Sequence, residues 1–119
     1  MAHAQSKPDY NPKIRELKIK VVTSNMQLSP QQERQFLPLY SRYSDQLLSH
    51  YRAKRALRNN PDKTAVIKRR EEIEREILNI KIRYKRDFLT IISPYQLEKM
   101  YEGEAEFKKL LLDRLRDKD

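Results

Sequence analysis

The chain has no cysteine, which excludes a disulfide framework and any thiolate nucleophile or thiolate metal ligand. It has no tryptophan and a single glycine, Gly103. With so little glycine, few tight turns are available and long helices are the simplest reading. No apolar run reaches the roughly 20 residues that span a bilayer as a helix. No glycine-rich phosphate loop is present, and the histidines are two, His3 and His50. The carboxylates lie among Lys and Arg at helical spacing, as in Glu71 and Arg75, and suit a solvated helix face held by i,i+4 pairs. These absences argue against an enzyme, and nothing calls for a cofactor. A metal site is not expected either. His50 has only Asp45 and Ser49 near it in sequence, Met26 and Met100 suit helix ends or core, and ligands would have to come from two chains.

Positive charge is abundant. The 119 residues carry a net +9. Residues 41–92 hold a net +7, residues 1–40 a net +3 and residues 93–119 a net −1. A surplus on the middle of the chain points to an anionic partner there. Charged residues make up 36% of the chain, yet the recurrence of Leu, Ile and Tyr is too regular for simple disorder.

Four of the six prolines follow a good helix N-cap: Asn11-Pro12, Ser29-Pro30, Asn60-Pro61 and Ser93-Pro94. They divide the chain into helices over about 12–25, 30–59, 61–92 and 94–116. Two of these starts share a phrase, Leu28-Ser29-Pro30-Gln31-Gln32 and Ile92-Ser93-Pro94-Tyr95-Gln96. In each, the Ser hydroxyl can accept from a first-turn N–H while Gln32 or Gln96 reaches back to the Ser N–H, a capping box. Ile92 and Leu97 hold hydrophobic-staple positions. Each helix has an apolar stripe. The first is Ile14, Leu17 and Val21. The second is Phe36, Tyr40, Tyr43, Leu47 and Tyr51. The third is Val66, Ile73, Ile77, Ile80, Tyr84, Phe88 and Ile91. The fourth is Leu97, Met100, Tyr101, Phe107, Leu111 and Leu115. The short Asn59-Asn60-Pro61 link makes helices 2 and 3 a long antiparallel hairpin, with a kink expected near Pro38. The expected fold is all-α with four helices, residues 12–116, preceded by a disordered tail over 1–11. Within that tail, Ala2-His3-Ala4 has the small-x-small form of a signal-peptidase site.

At these residues the chain resembles the bacterial periplasmic Spy/CpxP family, whose members carry two Leu-Thr-x-x-Gln motifs. Ser stands for Thr in both copies here, and Ile for Leu in the second. Phe36-Leu37-Pro38-Leu39-Tyr40 is similar to the aromatic-x-Pro-x-Tyr pattern of one branch. The resemblance implies an antiparallel homodimer shaped as a thin curved cradle, and a periplasmic mature protein. Relatives include ATP-independent chaperones, inhibitors of envelope-stress sensors and metal-responsive sensors. The motif is chiefly structural, so Ser29, Pro30, Gln32, Ser93, Pro94 and Gln96 are expected to cap helices.

Client contacts are expected on the basic face. On helix 2 these are Arg42, Tyr43, Tyr51, Arg52, Arg55 and Arg58. On helix 3 they are Lys68, Arg69, Lys81, Arg83, Lys85 and Arg86. Lys54, Arg70 and Tyr84 belong to the same surface. Charge would attract an unfolded or aggregation-prone client, and tyrosines with Lys/Arg stems would hold it loosely without ATP. The alternative is a stress or metal-responsive regulator that binds a membrane-sensor or sigma-factor-pathway partner. Nucleic acid is disfavoured, because no zinc-finger spacing, basic zipper or recognition-helix turn is present.

Overall fold

The computed structural model describes residues 12–117, except the side chains of Leu115 and Asp117. The expected tail over 1–11, His3 and the place of Leu115 in its stripe lie outside the described residues. Among the described residues there are four α-helices and no strand: α1 (Pro12–Thr23), α2 (Pro30–Ala56), α3 (Lys63–Phe88) and α4 (Pro94–Asp117). They form two compact units. One comprises residues 30–92, with α2 packed on α3; the other pairs α1 with α4.

Three of the four helix starts fall at the expected prolines, where fixed φ and a missing N–H are harmless. The fourth does not. The Asn60 side chain accepts from the Asp62 N–H at 2.9 Å, which folds the link into an Asx turn. Asp62 then caps α3 by accepting from the Ala65 N–H at 3.1 Å. Asp62 is therefore the cap, and Pro61 lies outside the helix. At the other side of the link, α2 tightens into a 3₁₀ turn, Leu57–Asn59. α2 continues through Pro38 as one helix.

In the unit of residues 30–92, α2 and α3 run antiparallel, with Gln46 opposite Tyr84 and Lys54 opposite Glu74. Five rings fill the seam near its root. Phe36 stacks on Tyr40 at 5.4 Å between centroids, Tyr43 meets Phe88 edge-on at 5.3 Å, and Tyr43 lies 5.3 Å from Tyr84. The Tyr84 hydroxyl accepts from the Gln46 amide at 2.8 Å, so this buried phenol keeps a partner. Toward the tip the core thins to Leu47, Ile77, Ile73 and Val66. All the residues read as the third stripe are buried except Ile91, which is half-buried beyond the end of α3. Leu39 joins the second stripe and Tyr51 leaves it, being exposed.

In the other unit, α1 and α4 cross where the lone glycine sits. A Cβ on Gly103 would come within 2.7 Å of the Val22 Cα and 3.0 Å of its carbonyl oxygen. Hydrogen at that position is what lets the two helix backbones touch. Val22, Met26, Leu97, Met100 and Phe107 are buried in this unit. Ile14, Leu17 and Val21, read as the first stripe, are only half-buried. Tyr101 of the fourth stripe is exposed.

Candidate functional site

Both repeated phrases make bonds through their glutamine. Ser93 and Gln96 form the expected reciprocal capping box: the Ser93 N–H donates to Gln96 Oε1 at 2.9 Å, and the Gln96 N–H donates to Ser93 Oγ at 3.1 Å. The Gln96 amide also donates to the Met26 carbonyl at 3.1 Å, tying α4 to the chain after α1. There Gln27 takes a left-handed φ of 55°. In the first phrase the Gln32 amide donates to the Ile91 carbonyl at 3.1 Å, just past the end of α3. Each motif glutamine thus reaches a carbonyl next to the other copy of the phrase. Ile92 and Leu97 are both buried.

Of the expected client contacts, Tyr43 is corrected. It is 1% exposed, inside the ring cluster, and presents no surface to a partner. Tyr84 is buried beside it. Tyr51, one turn or more beyond the ring cluster, is 41% exposed. Arg52 is half-buried; Arg42, Arg55, Arg58, Lys68, Arg69, Lys81, Arg83, Lys85 and Arg86 are exposed.

The charge surplus is more focused than a reading of residues 41–92 suggests. Residues 51–70, the tip of the hairpin, hold eight Lys/Arg against one carboxylate, Asp62. That net +7 equals the surplus of the whole 41–92 region, so the remainder of that region is balanced. Further along α3 carboxylates reappear and pair. Lys54 meets Glu74 at 3.0 Å, Arg69 meets Glu72 at 3.1 Å, and His50 Nε2 lies 3.3 Å from Glu76. These are exposed pairs, each contributing about 0–1 kcal/mol. The pair expected of Glu71 and Arg75 does not form; Arg69 takes Glu72 at i,i+3 instead. At the tip, Tyr51, Lys54, Arg55, Leu57, Arg58 and Arg70 line a hollow of about 300 Å³. Leu57 was not legible as a lining residue, because the 3₁₀ turn that aims it breaks the helical period.

A second surface also escaped the sequence reading. Ile67, Leu78, Ile82 and Leu89 are all exposed, at 55%, 56%, 52% and 41%. At about 100° per residue they fall within an arc of roughly 60° on α3 and its C-cap Leu89, well apart from the buried stripe, and run about 33 Å along the helix. Nothing within the hairpin covers them. The same arithmetic that found the buried stripe could have found this one, but the buried stripe has more members.

Two groups outside this region titrate abnormally. The hydrogen bond and charge of Glu102 hold the Lys99 ammonium above its ordinary value, with Tyr95 adding to it. Partial burial of the hydroxyl, and then the charge of Glu104, raise Tyr101 above its ordinary value. Among the described residues no cluster of three or more His, Asp or Glu is placed to hold a metal ion, and no helix is long and apolar enough to cross a membrane. Comparison with protein-family models, with curated proteins and with solved structures gives no match.

Proposed function

We propose that the chain is a Spy/CpxP-like, ATP-independent holder of unfolded or aggregation-prone proteins, and that it works as an antiparallel homodimer. The observation that carries this reading is the exposed apolar stripe of α3 lying beside a strongly basic hairpin tip. An apolar stripe of this length on a helix that already has a buried face asks for a second partner. A second copy fits it by symmetry. In an antiparallel pair centred on Leu78, Leu78 faces itself, Ile67 faces Leu89 and Glu71 comes level with the partner's Lys85.

Pairing in this register also explains how the basic residues can act together. It brings the tip cations of one chain, Arg58, Lys68 and Arg70, level with Lys85 and Arg86 at the root of the other. Positive residues that are far apart in one hairpin then form one surface, edged by Tyr51. Such a surface attracts clients over a Debye length and grips them weakly, which lets them fold or leave unaided. A periplasmic setting follows from the same family likeness.

An aggregation assay with a chemically denatured client tests the activity. Equimolar protein is expected to suppress light scattering at low salt and to lose roughly half or more of that effect near 0.5 M salt, where the Debye length falls to a few ångströms. The combined replacement Arg58→Gln, Lys68→Gln and Arg86→Gln is expected to weaken suppression while leaving the far-UV spectrum unchanged. No suppression at any salt would set holding aside in favour of a regulator that binds a membrane-sensor partner.

A further inference from the structure

We propose that the hollow at the tip of the α2–α3 hairpin binds a phosphomonoester or pyrophosphate group attached to an apolar or aromatic body. All six lining residues belong to one hairpin, so the site needs neither a second copy nor a protein client. Its polar side is made of Lys54, Arg55, Arg58 and Arg70, with Tyr51 and Leu57 forming the apolar side.

The charge pattern points to an anion. Residues 51–70 hold eight Lys/Arg against one carboxylate, Asp62, so little negative charge is at hand to answer the cations of the tip. Of the cations around the hollow, Lys54 meets a carboxylate, Glu74 on α3, at 3.0 Å. Among the described residues, the guanidinium groups of Arg58 and Arg70 have no carboxylate partner, yet they come from different helices to the same cavity. Like charges converging on one concavity raise the local potential and favour a counter-anion there.

The donor geometry narrows the class. Guanidinium groups offer planar forks of N–H donors and suit oxyanions bidentately. Forks arriving from two helices are met best by a tetrahedral group that accepts in several directions. A phosphomonoester does so with up to two charges near neutral pH, since its second pKa is about 6. A carboxylate offers one plane and one charge. The cavity, at about 300 Å³, leaves room beyond one phosphate, and that room is bounded by the Tyr51 ring and Leu57. A soluble aryl or nucleoside phosphate and a lipid phosphate headgroup share this chemistry.

Calorimetric titration of the full chain with phenyl phosphate, pyrophosphate and benzoate tests the site. Phenyl phosphate is expected to bind saturably, one per chain, and at least about tenfold more tightly than benzoate. The double variant Arg58→Gln/Arg70→Gln is expected to lose at least about tenfold, since charge-assisted bonds are among the stronger ones. A control of equal charge loss away from the hollow, Arg75→Gln/Lys108→Gln, should stay within about twofold. Tyr51→Ala should weaken phenyl phosphate and leave pyrophosphate unchanged. Co-sedimentation with phosphatidylcholine vesicles, with and without phosphatidic acid, separates the sources. Arg58/Arg70-dependent capture only with phosphatidic acid identifies a lipid headgroup, and binding confined to the soluble esters identifies a free phosphate. Equal affinity for benzoate, equal loss in the two double variants, or tight binding of random duplex DNA without saturable phenyl phosphate binding would each overturn the proposal. These readouts involve no client, so they stand or fall apart from the aggregation assay.

Discussion

Replacing Phe88 by alanine is expected to destabilise the α2–α3 unit by about 3–5 kcal/mol. Phe88 is 1% exposed and meets four rings: Phe36 at 5.5 Å, Tyr40 at 6.4 Å, Tyr43 at 5.3 Å and Tyr84 at 6.2 Å. Alanine would leave a cavity that the four remaining rings, on two rigid helices, cannot easily collapse, and aromatic pairs add about 0.5–1.5 kcal/mol each beyond their buried area. A domain of this size has only about 5–15 kcal/mol to lose. Urea unfolding followed by circular dichroism should show the midpoint falling sharply for Phe88→Ala, with Phe88→Leu in between because it keeps most of the volume. A loss under about 1 kcal/mol would mean the rings are not the core of this hairpin. The same cut at Ile82, which is 52% exposed, should change stability little, within about 0.5 kcal/mol, in the isolated chain.

Gly103→Ala is expected to destabilise by about 1–3 kcal/mol, which is opposite in sign to the usual effect. In an exposed helix, exchanging glycine for alanine gains up to about 1 kcal/mol, because the freer residue loses more entropy on folding. At Gly103 the added methyl would meet backbone: the Val22 Cα at 2.7 Å, its carbonyl at 3.0 Å and the Val21 carbonyl at 3.2 Å. A side-chain tip could rotate away, but helix backbone moves only as a body, so α1 must shift off α4. Gly103→Leu should be worse. Hydrogen exchange should locate the change in α1 and the middle of α4. Stabilisation by Gly103→Ala would contradict close contact of the two helices.

Helix starts were readable because proline and its capping neighbour carry their geometry locally. This held for Pro12, Pro30 and Pro94. It failed at Pro61, where two cap-forming residues, Asn60 and Asp62, compete and the Asx turn at Asn60 hands the cap to Asp62. The buried stripe of α3 was legible through its period, since Val66, Ile73, Ile77, Ile80, Tyr84 and Phe88 all lie inward. The helical period of α2 places Tyr43 with Phe36, Tyr40 and Leu47 in the core, and a ring buried there presents no face to a client. The spacing of Ser29 and Gln32 gives a local reason for a capping box, but not for the bond Gln32 makes across the unit. The acceptor of its amide, the Ile91 carbonyl, is 59 residues away and has no local signature. Gly103 left no pattern at all, because a lone glycine in a helix marks a close approach only once the neighbouring helix is known. Similarly, Arg70 reaches the same hollow as Arg58 through the hairpin fold and not through spacing.

The most direct test of the doubled hairpin uses the absence of cysteine from the chain. A single replacement, Leu78→Cys, places the one thiol at the centre of the proposed antiparallel seam, where each copy would face its mate within disulfide reach. Mild oxidation should convert most of this variant to a covalent dimer, while Ile67→Cys, whose neighbour across the seam is Leu89, should stay largely uncrosslinked. Efficient crosslinking through Ile67→Cys would indicate a parallel pair. A Leu78→Cys chain that stays monomeric under oxidation, and by light scattering, would contradict the seam itself.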